Sequence, residues 1–510
     1  MCRWATKSGV ILTVSLLNIM LTTRPVKQPR NNTTRQSQTG SKLFTTPLLT
    51  SKMYKLRLYI MFFLGFAVQL QAQEKLTYDE FINIVRKYHP VAQQATLQTD
   101  MAKAELQSAR GAFEPSFYIN KNQKEFGGKD YYNYLTTELK VPTWYGLDLK
   151  AGTENNQGQF TATELTKGRS SFVGASLPLA KGLLIDKRRA AVKQAREMVA
   201  FSDEERRLML NDLLYEATSV YYEWQSAYYT KRLADSLLRV NQERYQFIRN
   251  GVTLGDRPAI DTVETLTQLQ SFEFMLAEAE QTLNNATFEM SNFLWKENQQ
   301  AYQLPPFVEP ALIQADRSLQ DLNQYQSLVA THPKLQQAQI KTNVLGIEKQ
   351  LKFQSLLPTF NLQYNLLNKD YTFFADPNLF QNNYKWGFTV GIPLFLREAR
   401  AEYRKANLKI TQQTWENRLL FTEQQNKVNQ YYNDAVQLQR QTAIYQQTVI
   451  NYRRMYDAEL TRFNNGESSL FLVNSRENKL FEAQQKLISL QAKAAKAIIA
   501  VDYATGRLGF

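Results

Sequence analysis

His89 and His332 are the only histidines in this 510-residue chain, and Cys2 is its only cysteine. Histidine and cysteine are the side chains that most readily ligate zinc or act as base and nucleophile near neutral pH. Two histidines leave a zinc site short of its three or four protein ligands. Each also stands directly before a proline, Pro90 or Pro333, a position that marks a helix boundary and favours a structural role over a metal pair. Cys2 falls in a stretch expected to be missing from the mature protein, so disulfides, thiolate catalysis and cysteine-bound metals are not expected. Base and nucleophile chemistry would then fall to carboxylates, and nothing in the sequence clusters them. No G-x-S-x-G, H-E-x-x-H, P-loop or dinucleotide glycine fingerprint occurs, and Gly127, Gly128 and Lys129 lack the rest of a phosphate cradle. No catalytic, cofactor-binding or metal-binding residue is therefore assigned, and the chain is not expected to be an enzyme.

The elements that would position any site are built twice. The run from Pro178 to Gly251 recurs from Pro393 to Gly466. Each copy opens on a Pro-Leu pair and continues for about 70 residues almost without internal proline or glycine, as only a helix does. Apolar residues recur in sevens at Phe421, Val428, Ala435, Val449, Tyr456 and Phe463, with Leu213, Val220, Ala234 and Ile248 in the first copy. That is a coiled-coil seam on a helix about 100 Å long. After each long helix a glycine turn leads into a return helix whose apolar residues step by three and four, from Leu269 to Phe293 and from Leu480 to Ala504. Counting from the prolines matches Gly251 to Gly466, whereas counting back from the return seams matches Gly255.

The formal charge of +14 suggests nucleic-acid binding until it is mapped. Residues 1–72 hold all of the excess except +4, and no nucleic-acid partner is expected. Within them, residues 53–72 have a basic start, an uncharged run from Leu58 to Leu70 and Ala72 at a cleavage point, the pattern of a secretory signal. Residues 1–52 read as a doubtful extension, with Met53 the expected start. The uncharged run is too short to span a bilayer as a helix, and no later run is longer.

The first repeat is placed at 76–300, with a helix, a β-hairpin at 115–178, a long helix at 183–250 and a return helix at 259–295. A proline-rich linker at 301–316 leads to the second repeat at 317–508, with a helix, a hairpin at 358–393, a long helix at 396–465 and a return helix at 468–504. After Pro358 the period changes to two: Phe360, Leu362 and Tyr364 alternate with Asn361, Gln363 and Asn365. The return strand sets Trp386, Phe388, Val390 and Ile392 against Gly387, Thr389 and Gly391. The seven apolar residues of these two strands are expected to face lipid. The first hairpin is longer, and its polar surplus, Lys121–Tyr134 and Gly152–Arg169, reads as loop. The aromatic clusters Tyr131, Tyr132, Tyr134 and Tyr371, Phe373, Phe374 read as an interfacial belt, with a ligand platform as the other reading.

Four strands with one greasy face cannot stand open in hydrocarbon, because their edge N–H and C=O groups would stay unpaired. They must close with strands of sister chains around a wet pore. The doubled order of helix, hairpin, long helix, turn and return helix, with the turn segments "IRNGVTLGDRPAIDTVET" and "RFNNGESSLFLVNSREN", resembles the TolC-like outer-membrane efflux proteins over residues 76–508. The resemblance implies a mainly α protein with a β-barrel portion. Antiparallel coiled coils would form an α-barrel in the periplasm, and four strands per chain would build a shared 12-stranded transmembrane barrel in outer-membrane lipid. It also implies a homotrimer, a periplasmic adaptor and an inner-membrane pump of RND or ABC type. Adaptor contact falls on the turn residues Gly251, Gly255, Asp256, Arg257 and Pro258, and on Gly466, Glu467, Ser468 and Ser469. The periplasmic gate falls on Asp261, Glu264 and Leu472. The second copy places Leu472 where the family pattern has a carboxylate, which weakens cation selection there. Asp261 keeps two readings, a gate charge or a helix-start carboxylate complementing the dipole. The other class left open for the whole chain is a non-membrane periplasmic coiled-coil scaffold.

Overall fold

Side-chain caps set where four of the eight α-helices among the described residues begin. The computed structural model describes residues 75–312, 318–369 and 383–509. The expected extension and signal over 1–72 (Cys2 included), the end of the linker at 313–316 and the cluster Tyr371, Phe373, Phe374 lie outside the described residues. In α1 (Tyr78–Tyr88), Thr77 accepts from the Glu80 N–H while the Glu80 carboxylate accepts from the Thr77 N–H, a reciprocal cap. Helix α2 (Pro90–Gly111) opens on proline. Helix α3 (Lys187–Thr253) runs 67 residues from an Asp186 cap that accepts from the Arg189 N–H at 2.8 Å. Then come α4 (Ile260–Ser291) and the short α5 (Leu322–Leu328), followed by α6 (Pro333–Gln354), again opening on proline. Helices α7 (Arg397–Asn464), 68 residues long, and α8 (Leu470–Ala504) complete the set. Among the described residues no helix is long and apolar enough to cross a membrane.

The seven-residue pattern ends up inside. Val428, Ala435, Ala234 and Ile248 are fully buried, as are Phe272 and Met290 of α4 and Val501 of α8. One cluster joins Ile248 of α3 to Tyr456 and Phe463 of α7 and to Leu470, Val473 and Leu480 of α8, so the two helical hairpins share a core near their turns. A larger cluster ties Phe81 and Val85 of α1 to Leu213, Tyr221 and Trp224 of α3.

The strands are β1 (Lys75–Leu76), β2 (Ser116–Phe126), β3 (Lys129–Pro142), β4 (Asp148–Gln157), β5 (Gly168–Pro178), β6 (Glu309–Pro310), β7 (Thr359–Lys369) and β8 (Tyr384–Gly391). The short β1 and β6 pair in parallel, and Leu304 and Val308 are buried, so the stretch expected to be a linker contributes to the core. The others form one antiparallel sheet in the order β2-β3-β4-β5-β7-β8. This corrects the expectation of four strands per chain: among the described residues the sheet has six, four of them from the first repeat. Much of the polar surplus expected to be loop is ladder, since Lys121–Lys124 pair with 132–135 and Gly152–Asn156 pair with 134–138 and 168–172. The missed signal is Gly127–Gly128. Both have positive φ, +61° and +71°, and form the two-residue turn that right-twisted hairpins prefer.

Candidate functional site

The two helix turns have the same backbone geometry. Gly255 and Gly466 both adopt φ +79°, in the left-handed region. The Gly255 N–H donates to the Val252 carbonyl and the Asp256 N–H to Gly251, just as the Gly466 N–H donates to Phe463 and the Glu467 N–H to Arg462. The turn glycine of the first copy is thus Gly255, and Gly251 lies inside α3. The count from the return seams is the one that holds; the extra residues of the first copy lie between Pro178 and the start of α3, since α3 has 67 residues and α7 68.

Around these turns the candidate residues have partners within the chain. Asp261 lies in the first turn of α4, 3.8 Å from the Arg257 guanidinium. Pro258 offers its carbonyl to the Asp261 N–H at 3.1 Å. Arg257 also lies over the Phe463 ring of α7 at 4.6 Å, a cation–π contact that ties the first turn to the second hairpin. The Glu264 carboxylate accepts from Asn474 of α8 at 3.2 Å. Ser468 donates to Glu459, and Ser469 caps α8 by its backbone without a side-chain hydrogen bond. Leu472 is partly exposed, alongside the exposed Leu254, Ile260, Val263 and Phe471.

Above the turns lies a group that sequence reading missed. Arg244 of α3 makes two hydrogen bonds of 2.8 Å to the two carboxylate oxygens of Glu477 on α8. Tyr456 of α7 accepts from Arg244 at 2.9 Å and donates to Glu477 at 3.2 Å, and Asn241 donates to Glu477 at 3.1 Å. The Glu477 side chain is 2% exposed and that of Arg244 10%. Burial opposes the Arg244 charge, but the Glu477 hydrogen bond and charge outweigh it and raise the Arg244 pKa. Burial and the same carboxylate raise Tyr456. A buried pair joining separate hairpins has no local sequence period, so only the exception of polar residues on an apolar face could have flagged it.

The sheet has two distinct faces. Register places Phe360 opposite Val390, Leu362 opposite Phe388 and Tyr364 opposite Trp386, and the same face continues through Val173 and Ala175, Leu149 and Ala151, Val141, Leu139 and Leu135, to Phe117 and Ile119. Ile392 follows just beyond β8 and is exposed. The opposite face carries Glu138, Lys140, Lys150, Glu154, Gln363, Asn365 and Lys385. Lys150 lies 3.7 Å from Glu138, Lys140 lies 3.3 Å from Asp148, and Arg188 at the start of α3 reaches Asp148 at 3.0 Å. Tyr132 and Tyr134 stack on each other on this polar face, not on the greasy one; the belt reading fails for that pair.

The histidines are caps. His89 Nδ1 accepts from the Val91 N–H at 3.2 Å and His332 Nδ1 from the Lys334 N–H at 3.1 Å. Burial, reinforced by Lys334 and Lys427, lowers the pKa of His332 to about 4, and burial lowers that of His89. Among the described residues no group of three or more acidic, His or Cys side chains could hold a metal ion.

A two-faced antiparallel sheet joined to paired long helices is the fold of the outer-membrane efflux channels. It matches CusC with a TM-score of 0.59 at 15% identity, over 84% of this chain and 91% of that one. It matches the CmeC outer membrane channel of Campylobacter jejuni with a TM-score of 0.60 at 13% identity (85% and 86% covered), and the outer membrane protein VceC of Vibrio cholerae with 0.60 at 14% (84% and 96% covered). Residues 324–507 match the family model described as Outer membrane efflux protein, and that part of the chain carries this domain. The resemblance read from the doubled prolines and turn segments agrees with this match and with the shared fold. No curated protein matches the chain in sequence.

Proposed function

We propose that the chain is one subunit of a passive channel-tunnel for efflux or type I secretion. It works as a homotrimer with a periplasmic adaptor and an inner-membrane pump of RND or ABC type. The observation that carries this reading is the sheet: one face continuously apolar through six strands, the other lined with carboxylates, lysines and amides. An apolar face that includes Trp386, Phe388 and Val390, each more than half exposed in the single chain, suits lipid and works against a water-soluble scaffold. The polar face then lines the pore, and the helical hairpins continue the conduit into the periplasm.

Opening is governed at the turns. To widen the mouth, the α7–α8 hairpin must move against α3 and α4, and the contacts that oppose this include Arg244–Glu477, Arg244–Tyr456, Asn241–Glu477, Arg257 over Phe463, and Asn474–Glu264. Asp261, Glu264 and Leu472 form the gate, and Gly251, Gly255, Asp256, Arg257 and Pro258, with Gly466, Glu467, Ser468 and Ser469, take the adaptor. Reconstitution into planar lipid bilayers tests the reading. Discrete conductance steps are expected, with altered conductance or cation preference in Asp261→Ala. A protein that inserts but never conducts contradicts the conduit. Unchanged conductance and selectivity in Asp261→Ala return that residue to a helix-start role.

A further inference from the structure

The six-strand sheet has two open edges. Among the described residues β2 pairs only with β3, and β8 only with β7, so one backbone edge of each carries donors and acceptors that no described strand pairs. In lipid such edges must be closed, and six strands are fewer than the eight or so of the smallest closed barrels, so one copy cannot close on itself. Direction fits a second copy. All neighbours alternate, so with six strands β8 runs opposite to β2, and the β2 of a following copy can join β8 antiparallel as every other pair in the sheet is joined. The faces fit as well. Phe117 and Ile119 on β2 lie on the same apolar face as Trp386, Phe388 and Val390 on β8, and all five are about half to two-thirds exposed in the single chain. Beyond Ile119 this face of β2 turns polar at Lys121 and Gln123, which marks the edge of the apolar band there.

We propose that the barrel is closed by β8 of one copy pairing with β2 of the next, so that the β2–β3 hairpin is part of the wall and each copy contributes six strands. This rests on the channel reading above; for the homotrimer given there it makes an 18-stranded barrel in place of the expected 12. Barrel width grows roughly in proportion to strand number, and barrels of 16–18 strands leave an open aqueous lumen. The bore is then wider than a four-strand contribution would give.

Disulfide trapping in outer membranes tests the joint. Ile119→Cys or Phe117→Cys is combined in one chain with Phe388→Cys or Val390→Cys, in a Cys2→Ser background, and the membranes are oxidised. At least one combination is expected to give covalent dimers and trimers on non-reducing gels. Ala151→Cys with Phe388→Cys, which would report β8 meeting β4 with the first hairpin outside the wall, is expected to give none. Cross-links from the Ala151 pair alone, or from no pair while an unoxidised heat-sensitive oligomer is present, overturn the six-strand joint and leave the channel reading standing. Absence of any oligomer overturns both.

Discussion

Arg244 and Glu477 join one helical hairpin to the other through a buried ion pair. Removing one partner of a buried ion pair strands the other charge and costs about 3–5 kcal/mol, whereas replacing both with apolar side chains is often nearly neutral. Glu477→Leu is therefore expected to lower the unfolding midpoint sharply, and Arg244→Met combined with Glu477→Leu to recover most of it; calorimetry of the purified protein measures both. If the single and double variants unfold alike, the pair is not coupled. A second residue-scale expectation concerns His332. Its folded-state pKa of about 4 lies below the ordinary 6.5, so between these values the unfolded chain binds the proton and the folded one does not. The stabilisation is fully present above about pH 6.5, declines as pH falls toward 4, and amounts to on the order of 3 kcal/mol in all. Unfolding midpoints at pH 7.5 and 4.5 are expected to differ more for the parent than for His332→Asn, and an equal difference contradicts the account. The structural reading of the histidines was legible because each stands before a helix-opening proline. The Arg244 pair was not, because its members are 233 residues apart and meet only when the hairpins dock.

At the scale of elements, the long helices could be read closely because a seven-residue apolar period over about 70 residues has no competing explanation. The sheet could not, and the reason is physical. Strands β7 and β8 alternate cleanly, but the outer part of β2 and β3 is polar on both faces, as befits strands that leave the apolar band, and polar runs look like loop. Glycine on the polar face also has a packing role. A Cβ on Gly152 would lie 2.7 Å from the Phe172 ring and 2.1 Å from the Thr137 carbonyl oxygen, so that strand approaches its neighbours too closely for any side chain. Gly152→Ala is expected to destabilise the sheet by about 1–3 kcal/mol, the usual cost of overpacking, and to reduce the yield of assembled protein in membranes. Gly387→Ala, where the added atom meets nothing within 4 Å, is the control. Equal yields from the two variants contradict the packing argument.

At the scale of the whole molecule, a chain with no membrane-crossing helix among its described residues carries a lipid-grade face on a sheet that one copy cannot close. The doubled order of elements was enough to point to the outer-membrane efflux proteins, and the match over residues 324–507 agrees. The number of strands was not legible, because the first repeat supplies four, β2 to β5, where the described residues of the second supply β7 and β8. The most direct measurement is the state of the full-length protein in cells: membranes are fractionated, extracted in detergent and run on denaturing gels with and without boiling. The protein is expected to cosediment with outer membranes and to run unboiled as an oligomer that boiling reduces to single chains. A monodisperse monomer in the periplasmic fraction, stable without detergent, would contradict the channel reading.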